Sequence, residues 1–431
     1  MGKARVTVLS VATYKQKYAY GEDYGTSQFK FGPIGEKPIV IENRGLFLGE
    51  SRTLLKIYGI EKEVVVGPDV VKYLGSIEDV SRHLVYPMRD GLIDKNDGRS
   101  WRIIEELTRY GFLVSRPQTR DFDGFYVTAA LSAIAPDYMY ERLFEIHAKI
   151  DKEERSVKAV TVIPQPLAVA IAEKSVTCVV VESGHGNTQI TPISAYPIRN
   201  AIVALNRGGA EADAIAAEIL KDLGFGDRVR EEKFVRLFKE AVGLVPRNLD
   251  AAIKAARQNP ERFAVAFKIP GTTIEVNLER NGWMRFLIGE VIFNPEHEVF
   301  ESYYKRGMPR PRDTVMGEFV VRGTLPLVNA IQEALSRVSI ELLPRLYNDI
   351  ILSGGNFSWR VPKGLEDVAV DSAEKIRLGL AELGIDSRVH IVADPLYSVW
   401  KGAIVYSIAL PEDVEWDWRS REGWYKRGVH Y

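Results

Sequence analysis

Glu22-Asp23-Tyr24-Gly25-Thr26-Ser27-Gln28-Phe29-Lys30 and, far along the chain, Glu182-Ser183-Gly184-His185-Gly186-Asn187-Thr188-Gln189 share one grammar. Each leaves a run of strand character, turns on glycine and enters a second such run, with a carboxylate, Asp23 or Glu182, where the first run ends. Glycine lets backbone N–H groups approach an anion because no Cβ intervenes. Successive turn amides make a concave anion site. A carboxylate beside such a turn holds a hydrated Mg²⁺ against phosphates, directly or through water. One glycine turn is usually only a turn; two copies predict a polyphosphate held between two related domains.

Working outward, strand-like runs fall at 18–23, 28–33, 64–67, 124–130, 159–163, 178–182, 187–193 and 349–352, several of them apolar on both faces as in buried parallel or mixed sheets. Helical patterns lie between them. Residues 210–223 align Ile215, Ile219, Leu220 and Leu223, with Gly224 as a C′ residue; 231–243 stack Phe234, Leu237, Phe238 and Ala241; 372–383 open on Ser372 as an N-cap; 398–410 form a last apolar helix. Alternating strands and helices make layered α/β architecture. Two stretches lack a pattern and are expected to be loops. One runs from Leu46 to Lys62 and carries Leu54, Leu55, Ile57, Tyr58 and Ile60. The other runs from Glu298 to Thr324, where Pro309 and Pro311 break any helix or strand. Apolar loop tips point to contacts with another subunit, the alternative being variable surface.

The bulk numbers narrow the class. The 431 residues suit two or three domains, and 46% hydrophobic residues supply large cores. A net charge of −1 gives no electrostatic case for nucleic acid. No membrane span and no secretory leader are expected, and the single cysteine, Cys178, sits in an apolar strand run, so a cytoplasmic location is expected.

Several residues carry candidate chemistry. Asp23 reads as a metal anchor or a turn-initiating Asp; Lys30 as a point charge on phosphate or a solvent-facing lysine. Gln165, in Ile163-Pro164-Gln165-Pro166-Leu167-Ala168, opens a small-residue helix at a strand end and reads either as a capping or surface glutamine or as a group that orients a water for in-line attack on a terminal phosphate. The run Leu352-Ser353-Gly354-Gly355 lets backbone approach a flat ligand, and Lys239-Glu240 would flank base and ribose. A P-loop, an HExxH zinc helix and a GxSxG elbow are absent from the sequence.

The order of hairpin, Gln-Pro helix, hairpin and Ser-Gly-Gly strand end resembles the actin, sugar-kinase and DnaK-type superfamily. Within it the chain is most similar to actin, through Asp23-Tyr24-Gly25-Thr26-Ser27-Gln28-Phe29-Lys30, the stretch Leu84-Val85-Tyr86-Pro87-Met88-Arg89-Asp90-Gly91, Leu352-Ser353-Gly354-Gly355, and Tyr397-Ser398-Val399-Trp400 with Gly402. The Glu-x-Gly-His-Gly-Asn turn and the Pro-Gln-Pro-Leu-Ala-Val-Ala helix resemble the crenarchaeal branch, the crenactins.

The resemblance implies an actin-like ATPase fold of two RNase H-like domains flanking a nucleotide cleft, domain I being 1–172 plus 397–431 with the contact loop at 46–62, and domain II being 173–396. It implies ATP or ADP with Mg²⁺, hydrolysis coupled to filament assembly, and a homopolymer with actin-type regulators as further partners. Asp23 and Glu182 would bracket the metal through water, and Gln165 would place the lytic water. Gly25, Thr26, Ser27, Gln28 and Lys30 would hold the phosphates against Gly184, His185, Gly186 and Asn187. Gly209, Arg236, Lys239, Glu240, Gly354, Gly355, Ser358 and Trp359 would surround the nucleoside. Actin has Asp where this chain has Glu182 and His185, and His where it has Gln189, so the hydrolytic machinery is altered. A non-polymerising actin-related subunit and a small-molecule kinase on the same core are the alternatives.

Overall fold

The structure, a computed structural model, describes residues 10–48, 56, 59, 62–74 and 82–431. The chain divides into two compact units, one comprising residues up to Lys174 together with Tyr397–Tyr431, the other Ser175–Leu396.

The first unit is built on a six-stranded sheet in the order Tyr425–Lys426, Val157–Pro164, Phe125–Leu131, Ala19–Tyr24, Gln28–Pro33 and Ile39–Glu42. Ala19–Tyr24 is central. It pairs in parallel with Phe125–Leu131 and antiparallel with Gln28–Pro33, which sets Asp23 opposite Lys30. All six of its residues are buried, as a strand covered on both faces requires. One cover is the helix Ser398–Ala409, whose Trp400 lies so close that a Cβ on Gly21 would sit 2.9 Å from its ring. That helix also crosses Gln165–Ala172, and a Cβ on Gly402 would overlap the Ala168 carbonyl. Two long helices, Gly98–Ser115 and Asp137–Glu154, had not been assigned from the sequence. The first is capped by Asp97, whose carboxylate accepts from the Arg99 and Ser100 amides, and buries Ile103, Ile104, Leu107 and Phe112. Its Gly111, a weak helix former, sits under Tyr20 and Phe31.

The second unit has a sheet in the order Tyr196–Pro197, Thr188–Ser194, Thr177–Ser183, Ile350–Ser353 and Val389–Ile391, with Val203–Leu205 also paired to Thr188–Ser194. Helix Gly209–Asp222 buries Ala212, Ile215, Ala216, Ile219 and Leu220 and ends before Gly224, at φ +89°. Helix Glu232–Val242 buries Phe234, Val235, Phe238 and Val242; Ala241 is exposed and Leu237 half-buried, so the expected stripe is rotated toward the β-branched residues. Cys178 is buried mid-strand, where burial pushes its thiol up to about 12.

Three local expectations are corrected. The N-cap of helix Ser372–Glu382 is Asp371, which accepts from the Glu374 amide, while Ser372 is buried. The 46–62 stretch does not begin as loop. Gly45–Phe47 is a strand paired with Val64–Val66, with Leu46 and Leu48 fully buried, whereas Leu54, Leu55, Ile57, Tyr58 and Ile60 lie outside the described residues. The 298–324 stretch contains a short helix, Glu301–Lys305, and a hairpin, Thr314–Met316 with Phe319–Val321. The two prolines fall between them, punctuating the segment without unfolding it.

Beneath the first sheet, Glu22 and His147 are both fully buried, with Nε2 2.8 Å from Oε2; the Tyr24 hydroxyl donates to the same oxygen. Burial alone would lower the His147 pKa, but the Glu22 carboxylate and the Leu143 carbonyl outweigh it and hold it above the usual 6.5. A histidine whose folded pKa is raised stabilises the fold fully below its unfolded value and loses that contribution as the pH climbs through the folded one. Wild-type unfolding free energy therefore falls above pH 6.5 by about 1.4 kcal/mol per unit of elevation, and Glu22→Leu/His147→Leu, which removes both partners, lacks that slope. Equal pH profiles in chemical denaturation from pH 6 to 9 would contradict this assignment.

Candidate functional site

In the first unit the site is organised by Asp23. Directly opposed residues of an antiparallel pair share a face, so Lys30 reaches across and its Nζ lies 2.8 Å from Asp23 Oδ2. The other carboxylate oxygen accepts from Gln165 Nε2 at 2.8 Å, and the same nitrogen lies 3.3 Å from the Tyr24 carbonyl. The Asp23 side chain is 4% exposed and that of Lys30 14%. A carboxylate taken this far from water needs such partners. Gln165 opens its helix behind Pro164, which fixes where the side chain starts.

The turn above Asp23 is braced by a residue that sequence reading missed. Buried Asn43 donates Nδ2–H to the Gly25 carbonyl at 2.7 Å and its amide to the Ser27 carbonyl at 2.9 Å. The Gly25 amide lies 3.0 Å from the Gln28 carbonyl, and a Cβ on Gly25 would come within 2.8 Å of that oxygen. The Thr26 hydroxyl accepts from the Gly91 amide at 2.9 Å. Thr26, Ser27 and Gln28 are partly exposed.

In the second unit the Glu182 turn is enclosed by glycines. The Gly184 amide donates to the Asn187 carbonyl at 3.0 Å; the Gly209 amide donates to the Gly184 carbonyl at 3.0 Å and the Ala210 amide to that of His185 at 2.9 Å. A Cβ on Gly208 would lie 2.4 Å from the Gly184 oxygen, and one on Gly354, at φ +98°, 2.1 Å from the Ser183 oxygen. Asn356, also missed in the sequence, donates to the Gly184 carbonyl at 2.6 Å and to the Ser183 hydroxyl at 3.0 Å. Gln189 donates to Glu182 Oε2 at 3.1 Å. Each unit thus carries a buried carboxylate at a strand end with a glutamine amide bonded to it.

Near the second turn, Asp213 lies 3.7 Å from His185 Nδ1 and 2.8 Å from Lys239 Nζ. Burial lowers the His185 pKa; Asp213 opposes this, while Lys239 and Arg236 add to it. Among the expected nucleoside residues, Gly209 lies against His185 and Lys239 joins it through Asp213. Trp359 stacks instead on Gly243, where a Cβ would meet its ring at 2.3 Å, and Gly355, Ser358 and Glu240 are exposed. The donor set fits a metal only in one way. No group of three or more His, Cys, Asp or Glu side chains suited to a metal occurs among the described residues, so a cage made by protein alone is not built. A Mg²⁺ that keeps its waters and takes phosphate oxygens needs only one or two carboxylates; each unit taken by itself offers one buried carboxylate at a strand end, Asp23 in the first and Glu182 in the second.

The close packing is directly testable. Gly354→Ala forces a side chain into a left-handed backbone pressed on Ser183, a cost of roughly 2–4 kcal/mol; a thermal melt of the variant should drop by several degrees, and an unchanged melt would refute the close approach.

A family model for actin matches residues 84–429. An actin-like protein of Neurospora crassa is 23% identical over 368 residues, 83% of this chain and 83% of its own. Actin-related protein 2 of Saccharomyces cerevisiae is 24% identical over 426 residues, 94% of this chain and 95% of its own. Actin-related protein 3 of Schizosaccharomyces pombe is 25% identical over 244 residues, 54% of this chain and 51% of its own. With the mixed α/β units and two glycine-turn sites already described, the match across most of its length means that this chain belongs to the actin family.

Proposed function

We propose that the protein binds ATP with Mg²⁺, hydrolyses it, and assembles with copies of itself into cytoskeletal filaments in the cytoplasm. The observation that carries the nucleotide reading is the joint at Asp23, where one carboxylate holds both a cation and a glutamine amide. Lys30, drawn to that carboxylate, presents its ammonium as a point charge for phosphate oxygens. The turn amides from Gly25 to Gln28, and those from Gly184 to Asn187, supply fixed dipoles for the same groups. Gln165, held on Asp23 at the head of its helix, would position a water on the terminal phosphate. A bound Mg²⁺, held through water by Asp23 and Glu182, would offset negative charge on the phosphates. Attack by water needs no covalent intermediate on the protein. Glu182, longer than Asp, and His185 in place of an acidic residue would set the pace of this chemistry apart from that of actin.

The assembly reading is supported by the hairpin Thr314–Met316 with Phe319–Val321. Val315, Phe319 and Val320 are 72%, 58% and 62% exposed there, and apolar side chains clustered on a projecting turn favour burial against another molecule. The same hairpin suits a non-polymerising subunit of a larger complex, and relatives at this identity include actin-related proteins as well as an actin-like protein. The Glu182–Asn187 turn is the reason to group the chain with the crenactin branch.

Gln165→Ala is expected to slow phosphate release on the order of tenfold to a hundredfold while leaving ATP affinity nearly intact; equal turnover would remove Gln165 from the chemistry. Lys30→Ala loses a charged contact of about 2 kcal/mol, roughly thirtyfold in affinity, which calorimetry reads. Sedimentation of the pure protein decides assembly. A pellet that requires Mg-ATP supports filaments, and a protein that remains monomeric at high concentration favours the subunit reading.

A further inference from the structure

One fully buried charge in the second unit belongs to neither turn nor core. Arg207 is 0% exposed, yet its guanidinium meets no carboxylate within ion-pair distance among the described residues. Its NH1 donates to the Gly323 carbonyl at 2.8 Å and its NH2 to the Leu325 carbonyl at 2.9 Å, while Nε has no hydrogen-bond partner. A buried guanidinium that gives up such carbonyls is left with unpaired donors, so the 323–325 backbone must follow the arginine wherever it goes.

Gly323 and Leu325 stand at the foot of the exposed hairpin. Its stem is closed there, with the Gly323 amide donating to Asp313 at 3.0 Å and a Cβ on Gly323 falling within 2.2 Å of the Arg312 carbonyl. The residue before the arginine grips the other side of the stem. The Asn206 amide donates to the Thr314 hydroxyl at 3.1 Å and its Nδ2 to the Asp313 carbonyl at 3.0 Å. Two residues earlier, the Ala204 amide lies 3.3 Å from Met316 Sδ.

The segment 205–210, which holds Asn206 and Arg207, is fastened at its other end to the Glu182 turn. The Thr188 hydroxyl donates to the Arg207 carbonyl at 2.8 Å, Gly208 has no room for a Cβ against the carbonyls of Gly184 and His185, and the Gly209 and Ala210 amides bond those same two carbonyls. Glu211 closes over the Gly208 amide at 2.7 Å. Packed and hydrogen-bonded interiors transmit displacement because they deform little.

We propose that residues 205–210 couple the Glu182 turn to the apolar hairpin at 314–321, so that a phosphate group seated on the turn alters how the hairpin is held and presented. The turn and the hairpin are then two ends of one connected backbone, with Arg207 and Asn206 as positioning residues that touch neither ligand nor partner. Assembly that depends on nucleotide follows from this without any change in the apolar surface itself. The proposal rests on the reading that this turn takes phosphate, and the experiment separates the two.

Hydrogen exchange of peptides covering 314–321 is followed with and without Mg-ATP, in protein dilute enough that light scattering stays at baseline, and Mg-ATP affinity is measured independently by calorimetry. In the wild type, Mg-ATP is expected to change exchange of these peptides at least threefold. In Arg207→Met the response falls to less than half while affinity stays within fivefold, and Asn206→Ala, which spares the buried arginine, gives a smaller loss and decides the matter should Arg207→Met not fold. A wild type that binds Mg-ATP with no change at 314–321, or variants that keep the full response, overturns the coupling. A wild type that does not bind Mg-ATP overturns the nucleotide reading, and the coupling with it, and calorimetry alone identifies that case.

Discussion

A carboxylate with almost no access to water, Asp23, is the constraint around which the first unit is arranged. It is affordable there only because a lysine on the neighbouring strand and a glutamine at the head of a helix both donate to it. That requirement fixes the register of Ala19–Tyr24 against Gln28–Pro33 and the approach of Gln165–Ala172, and the small residues at Gly21, Ala168 and Gly402 let the covering helices come close enough to keep it dry. The groups that would act on a phosphate are thereby oriented before any ligand arrives, which is where most of the catalytic advantage of a polar site lies.

The second unit reaches a comparable result by another route. Its turn is shaped less by charge pairing than by the absence of side chains. Gly208 and Gly354 press on the carbonyls of residues 183–185, Asn356 ties down the one at 184, and the turn has little room to relax. Glu182 is steadied by Gln189. The two units therefore present similar chemistry on unlike supports, one electrostatic and one steric, and the three positions at which the chain is expected to depart from actin, Glu182, His185 and Gln189, all fall on the steric one.

Much of this was legible in the sequence, for reasons that are local. Runs apolar on both faces gave the buried strands, and glycine beside a strand-end carboxylate gave the turns, because those signals lie within a few residues of one another. What braces the turns was not legible. Asn43 acts on Gly25, and Asn356 on Gly184, across long stretches of chain, and neither carries a mark distinguishing it from an ordinary loop asparagine. Arg207 carries no mark in the sequence, since arginine is usually exposed; only tertiary structure shows it buried. The 298–324 segment was misread for the opposite reason. Pro309 and Pro311 are true breakers, but a five-residue helix and a hairpin of two three-residue strands fit on either side of them, held by contacts that periodicity does not record.

The account is tested most directly by the Mg²⁺ dependence of ATP affinity in wild type and Asp23→Asn. If Asp23 is the centre that holds both Lys30 and the hydrated metal, the wild type should bind ATP far more tightly with Mg²⁺ than with chelator, and the variant should lose most of that difference while remaining folded. A folded Asp23→Asn protein that binds Mg-ATP as the wild type does, with the same metal dependence, would contradict it.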